Sequence, residues 1–247
     1  MQFLIDEFAG TKASKSVVKS LKEGCSPVAG FGLSHIHKVL LSAMLSQHKR
    51  VLYICADEAE GQRVLEDLRA LGISAELFAQ RDISFFAKET SRDYEQKRIG
   101  TLSKLLEGDF SVAVTTLQAA AVYTIPPSVL RRRLLHLERG ARVDITELIK
   151  AAATAGYSRV ETVDAAGQFA VRGGIFDVFP PDAAAPYRIE LWGDEIDTIN
   201  SFDIDTQRRI SGCNGFDLSP SVELCPDSES DFLEKLKAKA QKALPEP

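Results

Sequence analysis

Residues 169–209 read FAVRGGIFDVFPPDAAAPYRIELWGDEIDTINSFDIDTQRR, and their pattern predicts three short strands. Ile175–Phe179 is a compact apolar and aromatic run stopped by Pro180 and Pro181. Tyr187–Trp192 alternates, placing Tyr187, Ile189 and Leu191 on one face and Arg188, Glu190 and Trp192 on the other. Gly193-Asp194 then makes a two-residue hairpin loop into Glu195–Phe202, since glycine supplies the positive φ of such turns. One face can therefore bury aliphatic groups while the other displays Arg, Glu and the only Trp of the chain. That outer set suits a protein-binding surface, because Trp and Arg are enriched at interface hot spots. On pattern alone, a half-exposed sheet whose Trp folds over its own edge fits equally well.

Upstream, strand and helix alternate. Helices are expected at Ser14–Gly24, His35–Gln47, Ala59–Leu71 and Tyr94–Leu106, with strands at Ser26–Gly30, Arg50–Cys55, Ser74–Phe78 and Phe110–Thr115. The continuous apolar character of Arg50–Cys55 predicts burial on both sides. This rhythm argues for a parallel sheet with helices on both faces. Pro126-Pro127 breaks it. A strand-bearing connection over residues 130–144 (LRRRLLHLERGARVD) follows, then a helix over Ile145–Ala155 with Asp144 as N-cap and Glu147 three residues on. Tyr157–Val163 leads into the strands, Gly212–Pro226 reads as irregular, and Asp231–Leu244 as an amphipathic helix.

The composition sets bounds. With 247 residues, 45% hydrophobic and 26% charged, the chain suits one large or two modest globular domains. A net charge of −5 gives no general attraction to nucleic acid, so a DNA contact would need a local basic patch. No apolar run reaches membrane-spanning length and the amino terminus is acidic, so neither a membrane partner nor a secretory signal is expected. The four cysteines and four histidines are scattered, which disfavours a zinc site and fits reduced thiols in a cytoplasmic protein. No metal or other cofactor is expected.

Gly32-Leu33-Ser34-His35-Ile36-His37-Lys38-Val39 has the spacing of the phosphate-binding loop G-x-x-x-x-G-K-[ST]. His37 stands where the second glycine would let backbone N–H groups approach phosphate, and Val39 where a hydroxyl would hold Mg²⁺. Lys38 alone is kept, and a lone helical lysine is usually a solvated side chain. The stretch therefore reads as a relic nucleotide site, Gly32, His37, Lys38 and Val39, without nucleotide binding. Asp57-Glu58 after the run LYIC imitates a magnesium-binding acidic pair, but its place after the first helix is wrong and acids at a helix start explain it. Arg92 and Arg98 are expected to pair on a helix surface near Tyr94 and Glu95, and Arg131–Arg133 to form a charged face more than a nucleic-acid contact. No catalytic triad or paired carboxylates are legible, so no catalytic residues are assigned.

The run over 171–208 resembles the damage-repair module shared by the excision-repair protein UvrB and the transcription-repair coupling factor Mfd. That family runs x-R-G-x-[hydrophobic]-x-D-[hydrophobic]-[FY]-P, then R-[hydrophobic]-[DE]-[hydrophobic]-[FW]-x-D-[DE], then F-D-x-x-[ST]-Q. Arg172-Gly173, Asp177, Phe179-Pro180, Arg188, Glu190, Trp192, Asp194-Glu195, Phe202-Asp203 and Thr206-Gln207 fill those places. The degenerate loop departs from UvrB and points to the amino-terminal region of the Mfd family. The passage Phe78–Thr101 also looks too short for the strand-separating hairpin of UvrB.

The resemblance implies an α/β fold, namely a degenerate RecA-like helicase domain (residues 1–128). It carries an inserted small α/β UvrA-binding module (129–211), and residues 212–247 return toward the first domain. It implies UvrA as partner, met by Arg172, Arg188, Trp192 and Glu190, with Trp192 in place of the more usual Phe. Gly173-Gly174 would let a partner backbone come close. RNA polymerase and double-stranded DNA would be engaged by parts of the family architecture outside this chain, which itself is expected not to be an enzyme. Two other classes stay open at this point: a nucleotide-dependent UvrB-like helicase domain, and an inhibitory domain that masks part of its own parent protein.

Overall fold

The computed structural model describes residues 1–80, 93–108, 110–223 and 229–243. The chain divides into two compact units, Met1–Pro127 with Pro181–Ala184, and Ser128–Pro180 with the described part of Ala185–Pro247.

The first unit opens with two helices, α1 (Gln2–Gly10) and α2 (Lys12–Lys22), separated by Thr11, whose hydroxyl accepts the Ser14 N–H and caps α2. Then come α3 (His35–Ser46), β1 (Val51–Cys55), α4 (Glu58–Ala70), β2 (Ala75–Phe78), α5 (Asp93–Glu107), β3 (Val112–Thr116) and α6 (Leu117–Ala120). The three strands are parallel in the order β1-β3-β2. Val112 and Val114 on β3 bury one sheet face against Val39, Ala43 and Met44 of α3, Val64, Leu65 and Leu68 of α4, and Ile5 of α1. Across the sheet α5 covers β2, where Thr101 Oγ1 donates to Leu77 O at 3.0 Å and Lys104 meets Glu76 at 3.4 Å.

Several expectations are corrected here. Ser26–Gly30 is not a strand. β1 is not buried on both sides: among the described residues it is an edge strand, and Leu52 and Ile54 stay 61% and 51% exposed, because α5 lies over β2 at the opposite edge. Arg98 does not lie on a helix surface. It is fully buried, its guanidinium 4.1 Å over the Phe78 ring and its Nη1 donating to Ala79 O at 2.6 Å. Arg92, and most of the passage judged too short for a hairpin, lie outside the described residues.

The second unit contains α7 (Pro127–Arg133), β4 (Leu135–Glu138), α8 (Ile145–Thr154), β5 (Ser158–Arg159), β6 (Gln168–Arg172), β7 (Ile175–Val178), β8 (Tyr187–Trp192), β9 (Glu195–Phe202), β10 (Arg209–Cys213), β11 (Gly215–Leu218) and α9 (Glu229–Ala243). Six strands form one sheet in the order β10-β9-β8-β7-β6-β5, antiparallel except for β5 with β6. The expected hairpin is present: Trp192 faces Glu195, and Gly193 takes φ +66°. Phe169, Phe176, Val178, Ile189, Ile196 and Ile199 share a core with Leu148 and Ala152 of α8. Asp144 caps that helix, accepting the N–H groups of Thr146 (2.7 Å) and Glu147 (3.4 Å), which lowers its pKa.

The stretch expected to be irregular after Gly212 is instead partly ordered. β11 pairs antiparallel with β4, Tyr157 Oη donates to Ser219 O at 2.6 Å, and Ser221 N donates to Ala155 O.

Candidate functional site

Alternation across four strands builds the outer face of the six-stranded sheet. Register places Ala170, Asp177, Arg188 and Asn200 in one row, and Arg172, Ile175, Glu190 and Thr198 in the next. Tyr187, Ile189 and Leu191 point the other way into the core, so the two-residue period of β8 divides its side chains as expected. Glu190 is exposed and Trp192, beside the turn, is 84% exposed, so the indole does not fold over its own sheet edge.

Arg188 makes a bidentate pair with Asp177, Nε to Oδ1 at 2.7 Å and Nη2 to Oδ2 at 2.9 Å. Its plane lies 4.6 Å from the centre of the Phe202 ring, and Nη1 donates to Gln207 O at 3.3 Å. The hydrogen bond to Asp177 is the main reason its pKa rises above the ordinary guanidinium value. Arg172 Nη2 reaches the same carboxylate at 2.7 Å, although half of the Arg172 side chain remains open to solvent. Asp177 itself is 1% exposed.

Gln207 is the one non-glycine residue with positive φ (+57°) among the described residues. Asp203 prepares that turn by accepting the backbone and hydroxyl of Thr206, and Gln207 Nε2 ties it down by donating to Val163 O and Ile204 O. The signature residues Arg172, Asp177, Arg188, Phe202, Asp203, Thr206 and Gln207 thus converge on one ionic cluster and its supporting turn. Asp177 and Gln207 had no assigned role in the sequence reading. Their signal was present, since a carboxylate within an apolar strand must find a cation. The glycine pair is explained internally: Gly173 takes φ +60° in the β6–β7 turn, and a Cβ on Gly174 would sit 3.0 Å from Leu191 O.

Residues 135–224 match the family model described as UvrB interaction domain. The chain is also similar to proteins named transcription-repair-coupling factor. It is 28% identical over 229 residues to that of Bacillus subtilis, covering 90% of this chain and 20% of the relative. With the Haemophilus influenzae protein it shares 34% over 128 residues, 52% of this chain and 11% of the other. With that of Staphylococcus aureus strain USA300 it shares 27% over 221 residues, 87% and 19%. The chain thus spans about a fifth of the length of the first of these relatives. The UvrB interaction domain match begins at β4 and takes in the whole six-stranded sheet, including the arginine cluster.

In the first unit, the loop from Gly32 to Val39 is occupied by its own side chains. Ser34 N–H donates to His37 Nδ1 at 3.4 Å and Ser34 Oγ lies 2.9 Å from the same nitrogen, so the imidazole caps α3. Phe8 stacks against that ring at 6.1 Å. Val39 is fully buried in the core. Lys38 Nζ pairs with Glu60 Oε1 at 3.4 Å instead of standing as an isolated solvated lysine. Glu60 has its pKa lowered first by the Ala56 N–H and then by Lys38. Burial, followed by Glu60, pushes the Tyr53 hydroxyl up to about 12. Gly32 keeps φ +71°. Asp57 accepts Glu60 N–H at 2.8 Å as the cap of α4.

Among the described residues no three His, Cys, Asp or Glu side chains are grouped to hold a metal, and no helix is long and apolar enough to cross a membrane.

Proposed function

We propose that this chain recruits UvrA as the amino-terminal part of a transcription-repair coupling factor, so that an RNA polymerase stalled at a lesion is linked to nucleotide excision repair. The observation that carries the reading is the outer sheet face, where Trp192 and Arg172 are exposed beside a fixed arginine–carboxylate cluster. An exposed indole with a held guanidinium is the pattern of an interface hot spot: the ring fills a dry pocket and the fork meets a carboxylate. Arg172, Arg188, Trp192 and Glu190 form the contact set in this reading.

The first unit is then a degenerate RecA-like domain without catalysis. Its parallel sheet and self-capped loop support that reading, since His37 takes the anion-binding end of α3 and Val39 offers no hydroxyl. In this scheme residues 1–128 are the helicase-like part, 129–211 the inserted module, and 212–247 begin the return, with β11 still pairing inside the second unit. Motor activity, polymerase binding and duplex DNA binding are assigned to parts of the parent protein other than this chain, which acts in the cytoplasm.

Calorimetry of the chain with purified UvrA tests the proposal. Binding that is lost in Trp192→Ala and Arg172→Ala at unchanged melting temperature supports it. Unchanged binding in both variants ends it.

A further inference from the structure

We infer that Asp177 is a positioning residue that holds Arg172 in its partner-facing pose, with Arg188 as the strut between them and the sheet. This rests on the UvrA-binding reading above and divides labour within it. The two arginines are not equivalent. Arg188 places Nε and Nη2 on Asp177, Nη1 on Gln207 O and Nη2 also near Gln207 Oε1 (3.4 Å), and its flat face covers Phe202. Only 21% of its side chain is exposed. Arg172 commits one terminal nitrogen to Asp177 Oδ2, and 50% of its side chain is exposed. The guanidinium free to meet a partner is therefore that of Arg172.

Asp177 is 1% exposed, so it meets no partner itself. Its work is geometric. An arginine whose fork is already pinned loses less conformational freedom when it pairs with a second carboxylate. Arg188 fixes the aspartate in turn, being gripped on its other side by the Gln207 carbonyl, which the positive φ of that residue belongs to. The partner surface that fits this face offers a carboxylate to Arg172 and an apolar socket to Trp192.

Charge and geometry make opposite demands on Asp177. If attraction to an acidic partner were all that counted, the aspartate would be a handicap, cancelling one of two positive charges. Asp177→Asn would then tighten binding and speed association. If Asp177 acts by placing Arg172, the same change weakens binding although the face becomes more positive.

The test measures UvrA association and dissociation rates for the intact chain, Arg172→Ala, Asp177→Asn, Arg188→Lys and the Asp177→Asn/Arg172→Ala pair. We expect Asp177→Asn and Arg188→Lys each to weaken binding roughly tenfold, mostly through faster dissociation. In the Arg172→Ala background, Asp177→Asn should cost less than about twofold, because its target is already gone. Equal or tighter binding by Asp177→Asn, or its full loss persisting without Arg172, overturns the inference. If Asp177→Asn does not melt cooperatively, Arg188→Lys decides, since it keeps the charge and loses the bidentate fork; wild-type affinity there overturns the inference. Where Arg172→Ala weakens binding but neither other variant does, only this inference falls. Where Arg172→Ala binds as wild type, this inference falls, and if Trp192→Ala also binds as wild type the UvrA reading of this face falls with it.

Discussion

His37 Nδ1 accepts the backbone N–H of Ser34 at 3.4 Å and stands 2.9 Å from the hydroxyl of the same residue. The positive end of α3, which in a working phosphate loop faces a nucleotide, is closed by a ring nitrogen from its own first turn. ATP with Mg²⁺ should therefore leave the melting temperature of the chain unchanged. A nucleotide-dependent rise in melting temperature would refute this. His37→Gly with Val39→Thr should not restore hydrolysis either, because Thr115-Thr116 end the later strand where an acidic pair would be needed. A phosphate-release assay reads that outcome.

Trp192→Ala and Arg188→Ala should separate in stability. Trp192 is 84% exposed, so its truncation should leave melting near normal while costing about 2 kcal/mol or more of partner affinity. Arg188→Ala uncovers a buried carboxylate and leaves it only Arg172, a loss on the order of 2–3 kcal/mol in the domain itself. Chemical denaturation of the two variants checks the contrast. Equal stabilities would show that the Asp177 cluster contributes nothing to the fold.

Arg98→Ala should destabilise the first unit by about 3 kcal/mol, through the lost cation–π contact with Phe78, the freed Ala79 carbonyl and the cavity left behind. A surface arginine would cost under about 0.5 kcal/mol, so urea unfolding discriminates sharply.

His136 Nδ1 lies 2.7 Å from Asp217 Oδ1 across the β4–β11 pair, and this hydrogen bond raises the imidazole pKa above its ordinary value. A raised folded-state pKa means that the added stability is complete below the unfolded value near 6.5 and fades as pH climbs through the folded one. The wild-type chain should thus gain more stability than His136→Gln when pH is lowered from about 8 to about 5.5. The groups are solvent-exposed, so the gain is small and shrinks with salt. Parallel melting curves for the two proteins would contradict it.

Duplex DNA should bind weakly, in keeping with the net charge of −5. Submicromolar binding at physiological salt with a steep salt slope would count against this.

The sequence carried local features well and distant ones badly. The alternation of Tyr187–Trp192, the Gly193-Asp194 turn and the Asp144 cap each depend on residues within a few positions, and all three were legible. β11 was not, because GFDL is short, begins with glycine and is ordered by β4, about eighty residues away. β6 was hidden for a similar reason: Arg172 and two glycines interrupt its apolar run, and only pairing with β7 orders it. Arg98 read as surface because a charged residue on a helix usually is; the Phe78 ring and the Ala79 carbonyl help make its burial tolerable. At the site, the exposed residues were legible from period and type, but the carboxylate beneath them needs three strands brought into register before its role is visible.

Leu52 and Ile54 project from β1, a strand with one unpaired edge among the described residues. An open row of backbone donors and acceptors beside two bare aliphatic side chains is the arrangement that templates strand-to-strand sticking between molecules. Solutions of the isolated chain should therefore cloud and precipitate as concentration and temperature rise, well before either unit melts. A single lysine at position 52 or 54 should clear them without weakening the fold.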